Sequence, residues 1–254
     1  MAILAATNIL KTYYGRSKSV YIKALNGINL EVNKDEFLGI MGASGSGKTT
    51  LMNILSGIDK ATGGKVEISG EDIFKMKDYE LALFRRQKLG CIFQEFNLLD
   101  SLTVKDNIIL PMVLDKKYKD EIEKRLNEIA EIFNIIDILQ KYPYTISGGQ
   151  QQRVAICRAI VNKPEIIFAD EPTGNLDSKS SRVVMESFQK LRKSNKSTII
   201  MVTHDAFTAS YCDRIVFIKD GIINEQISRK DGRKAFFNNI IEVLASYGGD
   251  IIDI

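Results

Sequence analysis

A glycine-rich segment beginning at Gly42 constrains the fold of this chain more than any other feature. The segment from Gly42 to Thr49 reads GASGSGKT and satisfies the pattern G-x-x-x-x-G-K-[ST] in full. It follows a continuous apolar run from Phe37 to Met41, which is typical of a strand buried on both faces. A buried strand, a glycine-rich loop and a helix in this order predict a phosphate-binding loop in an α/β fold.

The chemistry of the loop follows from its residue types. Glycine lets the main chain curl so that successive N–H groups face a phosphate, and the following helix adds its positive N-terminal end. Lys48 is predicted to reach the β- and γ-phosphates, and Thr49 to bind Mg²⁺. A chance glycine turn is disfavoured because the strand and the helix are both in place. The predicted nucleotide contacts in this region are Gly42, Ser44, Gly45, Ser46, Gly47, Lys48, Thr49 and Thr50.

Two adjacent carboxylates follow a second apolar run. Residues Ile166 to Ala169 have the character of a buried strand, and Asp170 and Glu171 come directly after it. Because side chains alternate along a strand, Asp170 can hold Mg²⁺ while Glu171 points elsewhere and polarises the attacking water. In isolation such a pair would serve equally well as a helix cap. Together with the phosphate loop, it predicts a catalytic pair.

The wider pattern alternates helices with strands, as in an α/β fold with parallel strands. The predicted strands are Ala2–Tyr13, Leu25–Val32, Phe37–Met41, Lys65–Ser69, Leu89–Phe93, Ile166–Ala169, Thr198–Val202 and Ile215–Ile218. The predicted helices are Gln150–Asn162, Ser178–Ser194 and a short one from Asp205. Between Asp78 and Tyr142 the pattern changes, and Asp120 to Phe133 places its apolar residues on one face of an amphipathic helix. A helical insertion in the α/β core is therefore expected.

Composition narrows the class of protein. The 254 residues carry a mild net charge of +3, and the charges alternate in sign, so nothing indicates a nucleic-acid partner. No apolar run approaches the ~18 residues of a transmembrane helix, and the N-terminus lacks the features of a signal peptide. The cysteines, Cys91, Cys157 and Cys212, are odd in number and widely spaced. They are predicted to be small buried side chains in a reducing cytosol.

A second glycine motif, Ser147-Gly148-Gly149-Gln150, stands at the start of a predicted helix. A serine hydroxyl and two glycines form an anion-binding nest at such a position. One γ-phosphate does not need two cradles from a single chain, so the second is expected to serve the ATP of another subunit. This predicts a head-to-tail dimer with two nucleotides at its interface. A plain capping turn would be the simpler interpretation if the motif stood alone.

These motifs, in this order, resemble those of the ATP-binding subunits of ABC transporters over Met1 to about Ser228. The resemblance implies a P-loop NTPase core with a mostly parallel sheet, an antiparallel β subdomain and an α-helical insertion. It implies one ABC ATPase domain over residues 1–254. The core would comprise about 1–90 and 160–228, the helical subdomain about 95–158 and a helical tail about 229–254.

The resemblance also assigns roles that the residues alone leave open. Gln94 is similar to the glutamine that touches Mg²⁺ or water and senses the membrane subunit, although alone it is merely a polar residue at a strand end. Asn175-Leu176-Asp177 is similar to a loop that crosses the dimer interface, and Asp177 joins Ser147 to Gln150 among the expected nucleotide contacts. His204 matches the histidine that bonds the γ-phosphate, whereas a lone histidine is more often structural. Tyr13 fits the position that stacks on adenine, with Tyr14 and Tyr21 as rivals.

The implied mechanism is that two ATP molecules with Mg²⁺ join two such domains, and that their opening and closing drives a membrane permease. Glu171, His204, Gln94 and Lys48 are the expected catalytic residues. The subunit is expected on the cytoplasmic face of the membrane, held there by the permease. Soluble DNA-repair ATPases are disfavoured because no sustained heptads separate the motifs, and tandem translation factors because each motif occurs once.

The residues around the motifs are similar to those of the ABC branch that serves macrolide export, lipoprotein release and cell division. Within it, Met41 to Ser44, Leu99 to Asn107 and Arg233 to Gly249 most resemble subunits of bacitracin- and lantibiotic-resistance transporters. In such systems the permease carries a large extracytoplasmic domain, and a neighbouring histidine kinase often completes the sensing module. The permease is expected to dock near Gln94 and the helical insertion, around Phe96 to Asp106. The apolar residues Phe96, Leu98 and Leu99 are expected either to be exposed for this purpose or, equally, to pack the insertion onto the core.

Overall fold

The computed structural model describes residues 2–15, 21–195 and 197–247, with the side chains of 193–195 left aside. Two compact units are formed, one by residues 1–81 and 198–254 and the other by residues 82–197. The strands are β1 (Ala2–Tyr14), β2 (Tyr21–Asn33), β3 (Phe37–Met41), β4 (Gly63–Ile68), β5 (Glu71–Asp72), β6 (Leu89–Ile92), β7 (Ile166–Asp170), β8 (Thr198–Val202), β9 (Arg214–Lys219) and β10 (Ile222–Ser228). The helices are α1 (Lys48–Leu55), α2 (Asp78–Lys88), α3 (Val104–Leu114), α4 (Lys119–Ile132), α5 (Gly148–Ile160), α6 (Ser178–Asn195), α7 (Ala206–Ala209) and α8 (Arg233–Ser246).

The first unit contains two groups of strands. An antiparallel sheet has the order β2-β1-β4-β5. In the second group β3 pairs in parallel with both β8 and β9, and β10 pairs antiparallel with β9. Every residue of β3 and β8 is buried, as their continuous apolar runs predict. The α/β class with a parallel sheet and an antiparallel part is therefore confirmed.

The second unit combines a parallel pair of strands, β6 and β7, with the helices α3 to α6. Helix α4 buries Ile122, Leu126 and Ile129, which confirms the amphipathic pattern. Helix α3 was not predicted, because its residues are apolar on several faces and Pro111 lies inside it. The short strand β5 and the largely exposed strand β10 also lacked a clear pattern in the sequence.

The segment before α3 is fixed by one buried side chain. The Asn107 amide donates to the carbonyl oxygens of Leu99, Leu102 and Thr103, and its Oδ1 accepts from the Leu99 N–H. Such a buried amide with four hydrogen bonds specifies one loop conformation. Leu99 itself is 45% exposed. The apolar run expected to dock a partner or to pack inward thus presents at least this side chain to solvent.

The remaining expectations concern the thiols, the tail and membrane segments. Cys157 and Cys212 are buried as predicted, whereas Cys91 is only partly buried, and desolvation there raises the pKa of its thiol to about 11. The tail helix predicted at Lys234–Leu244 is α8, while Gly248 and Gly249 lie outside the described residues. Within the described part of the chain, no helix is both long and apolar enough to span a bilayer.

Candidate nucleotide-binding site

The phosphate loop lies between β3 and α1 in the first unit, and close packing of main chains requires its glycines. Gly42, Gly45 and Gly47 have φ of 153°, 76° and 104°, which side-chain-bearing residues rarely adopt. A Cβ on Gly42 would lie 2.1 Å from the Ile218 carbonyl oxygen, and one on Gly47 would lie 2.6 Å from that of Ala24. This loop conformation therefore admits only glycine at these two positions.

The start of α1 offers positive charge to an anion. The helix begins at Lys48 without a side-chain cap or an acidic residue in its first turn. Its first N–H groups therefore keep the potential that attracts phosphate. Lys48 is buried, and its Nζ donates to the carbonyl oxygens of Gly42 (2.8 Å) and Ala43 (2.7 Å). Main-chain N–H groups and one ammonium group thus meet at a single loop, beside the exposed Thr49.

Tyr13 is the best anchored of the three tyrosines considered for adenine. Its hydroxyl donates to Asp59 Oδ2 at 2.9 Å, and Lys11 Nζ lies 4.6 Å from its ring centroid. Partial burial alone would raise the pKa of Asp59, but hydrogen bonds from Lys11 and Tyr13 outweigh it and hold that pKa below its usual value. Tyr14 and Tyr21 are each 64% exposed, against 42% for Tyr13. A fixed, partly exposed ring suits stacking on a base.

His204 follows β8 and is exposed. The next residue, Asp205, caps α7 by accepting from the N–H groups of Phe207 (3.1 Å) and Thr208 (2.9 Å). The cap fixes the main chain immediately after His204. The first unit therefore holds the predicted phosphate loop, Tyr13 and His204.

In the second unit, β7 delivers the two predicted carboxylates. Asp170 is its last residue, and Glu171 has a positive φ of 44°. A glutamate in the left-handed region is uncommon, and such strained residues concentrate at functional sites. The Gly174 N–H donates to the Glu171 carbonyl oxygen at 3.0 Å, which closes a turn directly after the strand. The strand therefore ends at Asp170, and Glu171 belongs to the turn that follows.

Gln94 lies beside this turn. A Cβ on Gly174 would be 3.2 Å from Gln94 Nε2 and 3.3 Å from Glu171 Oε2, so both side chains end against the same glycine. The Asn175 amide donates to the Gln94 carbonyl oxygen at 3.1 Å. The structure therefore brings together Gln94, predicted to contact Mg²⁺ or water, and Glu171, predicted to polarise the attacking water.

The second glycine motif forms a capping box at the start of α5. Ser147 Oγ accepts from the Gln150 N–H, while Gln150 Oε1 accepts from the Ser147 N–H at 2.9 Å. A Cβ on Gly148 would approach the rings and methyls of Phe96 and Leu176 at 3.7–3.9 Å. The structure thus shows the capping turn that the sequence left as the simpler interpretation, and an anion-binding role for the motif remains a prediction.

Comparison with known proteins agrees with these motifs. A family model described as "ABC transporter" matches residues 25–174, more than half of the chain. The chain belongs to the ABC transporter family.

This ABC subunit has close relatives in bacteria and archaea. It is 51% identical over 250 residues to the uncharacterized ABC transporter ATP-binding protein YvcR of Bacillus subtilis, covering 98% of this chain and 96% of that protein. It is 49% identical to the bacitracin export ATP-binding protein BceA of Halalkalibacterium halodurans, covering 98% of each. A dimeric structure of the cassette MJ0796, from Methanocaldococcus jannaschii, superposes with a TM-score of 0.82 at 39% identity, over 90% of this chain and 99% of that one. The same cassette is known in a post-hydrolysis state with ADP and Pi.

The chain is thus the ATP-binding subunit of an ABC transporter and an ATPase. Asp177, predicted at the dimer interface of such subunits, also caps α6 in this structure. Its carboxylate accepts from the Ser180 hydroxyl at 2.6 Å and from the N–H groups of Lys179 and Ser180. These bonds, first of all the one from the Ser180 hydroxyl, hold the pKa of Asp177 below its usual value.

Sequence reasoning missed one residue of the ABC subunit, Arg158 on α5. Its guanidinium donates to the carbonyl oxygens of Phe96 (3.0 Å) and Asn97 (2.7 Å), two and three residues after Gln94. Burial lowers the pKa of Arg158 from its ordinary value. An arginine in the last turn of a helix usually indicates an exposed charge near the C-terminal dipole, so no sequence signal could reveal this contact.

Replacing Gly149 by alanine should damage the helix start without removing a polar group. The new Cβ would lie 2.9 Å from Ser180 Oγ and 3.1 Å from its Cβ, so the Ser180–Asp177 bond or the packing of α5 on α6 must give way. We expect a loss of about 1–3 kcal/mol in the free energy of unfolding. We also expect a fall in ATPase activity of roughly tenfold or more, because the motif is displaced.

The double variant Gly149→Ala/Ser180→Gly should recover part of both losses, since both close atoms are removed. Gly232→Ala is the control, because its Cβ would enter open space. Thermal unfolding and ATPase assays measure the effects. Wild-type behaviour of Gly149→Ala would show that α5 and α6 are not packed as described.

Proposed function

We propose that this ABC subunit dimerises head to tail around two ATP molecules and that hydrolysis drives a multi-helix membrane permease. The observation that carries the proposal is that one chain contains two glycine-rich helix N-termini, each of which we propose as a cradle for phosphate. One is the phosphate loop at Gly42 to Thr49, and the other is the N-terminus of α5 at Ser147 to Gln150. A second copy of the chain would bring its own bound ATP to the second cradle. The dimeric structure of the similar cassette MJ0796 supports this arrangement.

The residues of the site divide the work of hydrolysis. The N–H groups of the phosphate loop and the Lys48 ammonium bind the phosphates, Tyr13 stacks on adenine, and His204 donates to the γ-phosphate. Glu171 accepts a proton from the attacking water, with Gln94 beside it. The two side chains share the Gly174 turn, so a water molecule held there would meet both.

Mg²⁺ fits the oxygen-rich donor set that this chain offers. The Thr49 hydroxyl, the Asp170 carboxylate and the Gln94 amide oxygen are hard ligands of the kind the ion prefers. Thr49 is exposed at the start of α1, and Asp170 is only partly buried at the end of β7. When bound, the ion neutralises charge on the β- and γ-phosphates.

The proposed partner places the subunit on the cytoplasmic face of the membrane, held there by the permease. Support comes from the family, whose ATP-binding members act with membrane subunits. The Gln94 to Leu99 segment is the proposed docking region, because Gln94, Glu95, Asn97 and Leu99 are all exposed. Force applied there would reach α5 through the Arg158 hydrogen bonds.

For the cargo, we propose antimicrobial peptides of the bacitracin and lantibiotic type, exported or sensed as part of resistance. Support comes from BceA, whose identity of 49% extends over 98% of both chains. The macrolide export ATP-binding/permease protein MacB of Chlorobaculum tepidum is 40% identical over 91% of this chain and 35% of that protein. The alternative is an ATPase for macrolide export, which this relative supports, or for lipoprotein release or cell division.

Glu171→Gln tests the catalytic assignment. The amide cannot accept the proton of the attacking water, so turnover should fall by about 10²–10⁴. ATP binding should persist, and the variant should accumulate as an ATP-bound dimer, measured by light scattering and an ATPase assay. Glu186→Gln is the matched control, because Glu186 is exposed on α6. A fast, monomeric Glu171→Gln protein would contradict both the role and the trapped dimer.

The trapped variant should also retain the membrane partner. We expect tagged Glu171→Gln, with ATP, to co-purify a permease with a large extracytoplasmic domain from gently solubilised membranes of the source cell. Lys48→Ala, which loses the ammonium group, should retain less of any partner that requires bound ATP. A small permease would favour lipoprotein or cell-division relatives, and recovery of soluble proteins alone would refute the permease proposal. Co-purification of a histidine kinase would extend the proposed complex.

Sensitivity to peptide antibiotics tests the cargo. A source strain without this gene should show a lower minimum inhibitory concentration of bacitracin or a lantibiotic. Wild-type protein should restore resistance, and the equally expressed Glu171→Gln variant should not, because turnover is required. Unchanged sensitivity to both classes, with altered sensitivity to macrolides, would move the assignment to the macrolide exporters.

A further inference from the structure

The end of helix α8 lies near the phosphate loop in the first unit, since Leu244 and Tyr247 line a cavity together with residues 42–46. Helix α8 is anchored by the buried side chains of Phe236 and Ile240, and by the Arg233 guanidinium, which lies 4.3 Å from the Tyr211 ring centroid. Tyr247 follows directly after this helix. The position of Tyr247 is thus set by the packing of α8 through these residues.

Tyr247 contacts both strands of the β9–β10 hairpin. Its ring centroid lies 6.0 Å from that of Phe217 and 5.8 Å from Lys219 Nζ, both on β9. Its hydroxyl accepts from Asn224 Nδ2 at 2.9 Å and donates to Glu225 Oε2 at 3.2 Å, both on β10. One side chain therefore holds the two strands together near their connecting turn.

The turn of this hairpin is bonded to the phosphate loop. Asp220 and Gly221 have φ of 50° and 74°, as in a tight two-residue hairpin turn. The Gly221 N–H donates to the Ser46 carbonyl oxygen at 3.1 Å, and the Gly221 carbonyl accepts from the Asn26 N–H at 2.8 Å. A Cβ on Gly221 would lie 2.7 Å from the Ala24 carbonyl oxygen, so the turn is tightly enclosed.

The bond to Ser46 determines the direction of a phosphate-facing donor. The Ser46 carbonyl and the Gly47 N–H belong to one planar peptide unit and point in opposite directions. Holding the Ser46 oxygen against the hairpin therefore orients the Gly47 N–H. Recognition of phosphate by main-chain donors depends on such fixed directions.

Direct contact between the tail and the loop is less tight than the path through the hairpin. A cavity of about 240 Å³ is lined by Leu244 and Tyr247 of the tail, by residues 42–46 of the loop and by residues 217–220 of the hairpin. The loop can yield into this space if the hairpin shifts. The β9–β10 hairpin, which is hydrogen-bonded to both Tyr247 and Ser46, is thus the closer connection between the tail and the loop.

We propose that Tyr247 is a positioning residue for phosphate binding, acting through the β9–β10 hairpin on the peptide unit between Ser46 and Gly47. This rests on the proposed placement of the phosphates at Gly42 to Thr49. The proposed effect of Tyr247 is exerted through the loop rather than by binding ATP directly. It holds the loop in the conformation that receives ATP, so its loss weakens ground state and transition state alike.

Two variants and one control test the proposal. Tyr247→Ala removes the ring and both hydrogen bonds and should raise the KM and Kd for ATP about tenfold, with kcat within about twofold. Tyr247→Phe keeps the ring and should raise them about threefold. Ile241→Ala, at an exposed position of α8, should leave the KM and Kd for ATP and the kcat unchanged.

Hydrogen exchange of the protein without nucleotide supplies a second measurement. Amides of residues 42–48 should exchange faster in Tyr247→Ala than in wild type or Ile241→Ala, while amides of β7 and α5 should not change. Unchanged exchange and KM would overturn the proposal. So would a uniform loss of melting temperature and kcat with KM unchanged, which would make Tyr247 a purely structural residue. A wild-type chain that binds no ATP would refute the proposed function, yet the exchange result would still decide whether Tyr247 fixes the loop.

Discussion

Close contact between main chains at the phosphate loop is the constraint on which the first unit depends. Gly42 lies against the carbonyl of Ile218, and Gly47 against that of Ala24, at distances that leave no space for a Cβ. The loop is thereby fixed to β2 and β9, while the fully buried β3 leads directly into its first residue, Gly42. Hydrophobic burial of β3 stabilises the fold around the loop. The glycines allow the close main-chain contacts that restrict the loop to one conformation.

The second unit achieves similar fixation with hydrogen bonds. The strained Glu171 turn, the Gln94 segment and the start of α5 are joined by the Asn175 amide, the Arg158 guanidinium and the packing of Gly148 on Phe96. Each of these contacts involves main-chain carbonyls or a glycine. The side chains predicted to be catalytic are therefore held in place by neighbouring residues with no predicted catalytic role. Functional sites are usually kept rigid in this way.

Much of this arrangement could be predicted from the sequence. Buried strands such as β3 and β8 are continuous apolar runs, and the motifs at Gly42 and Ser147 have fixed spacing. Helix α3 was not predictable from periodicity because its residues are apolar on several faces. The contacts of Arg158 and Tyr247 also could not be foreseen, because they depend on which distant carbonyls or strands the fold brings near. The roles of the individual site residues remain predictions.

The capping box at Ser147 has a consequence for the entropy of association. Because Ser147 and Gln150 satisfy each other's N–H groups, α5 begins at a defined residue within a single chain. A second copy would therefore meet a surface that is already ordered, and little conformational freedom would be lost on contact. In the proposed dimer, the charge of the nucleotide held at this surface would then influence association strongly, so loss of the γ-phosphate would weaken it.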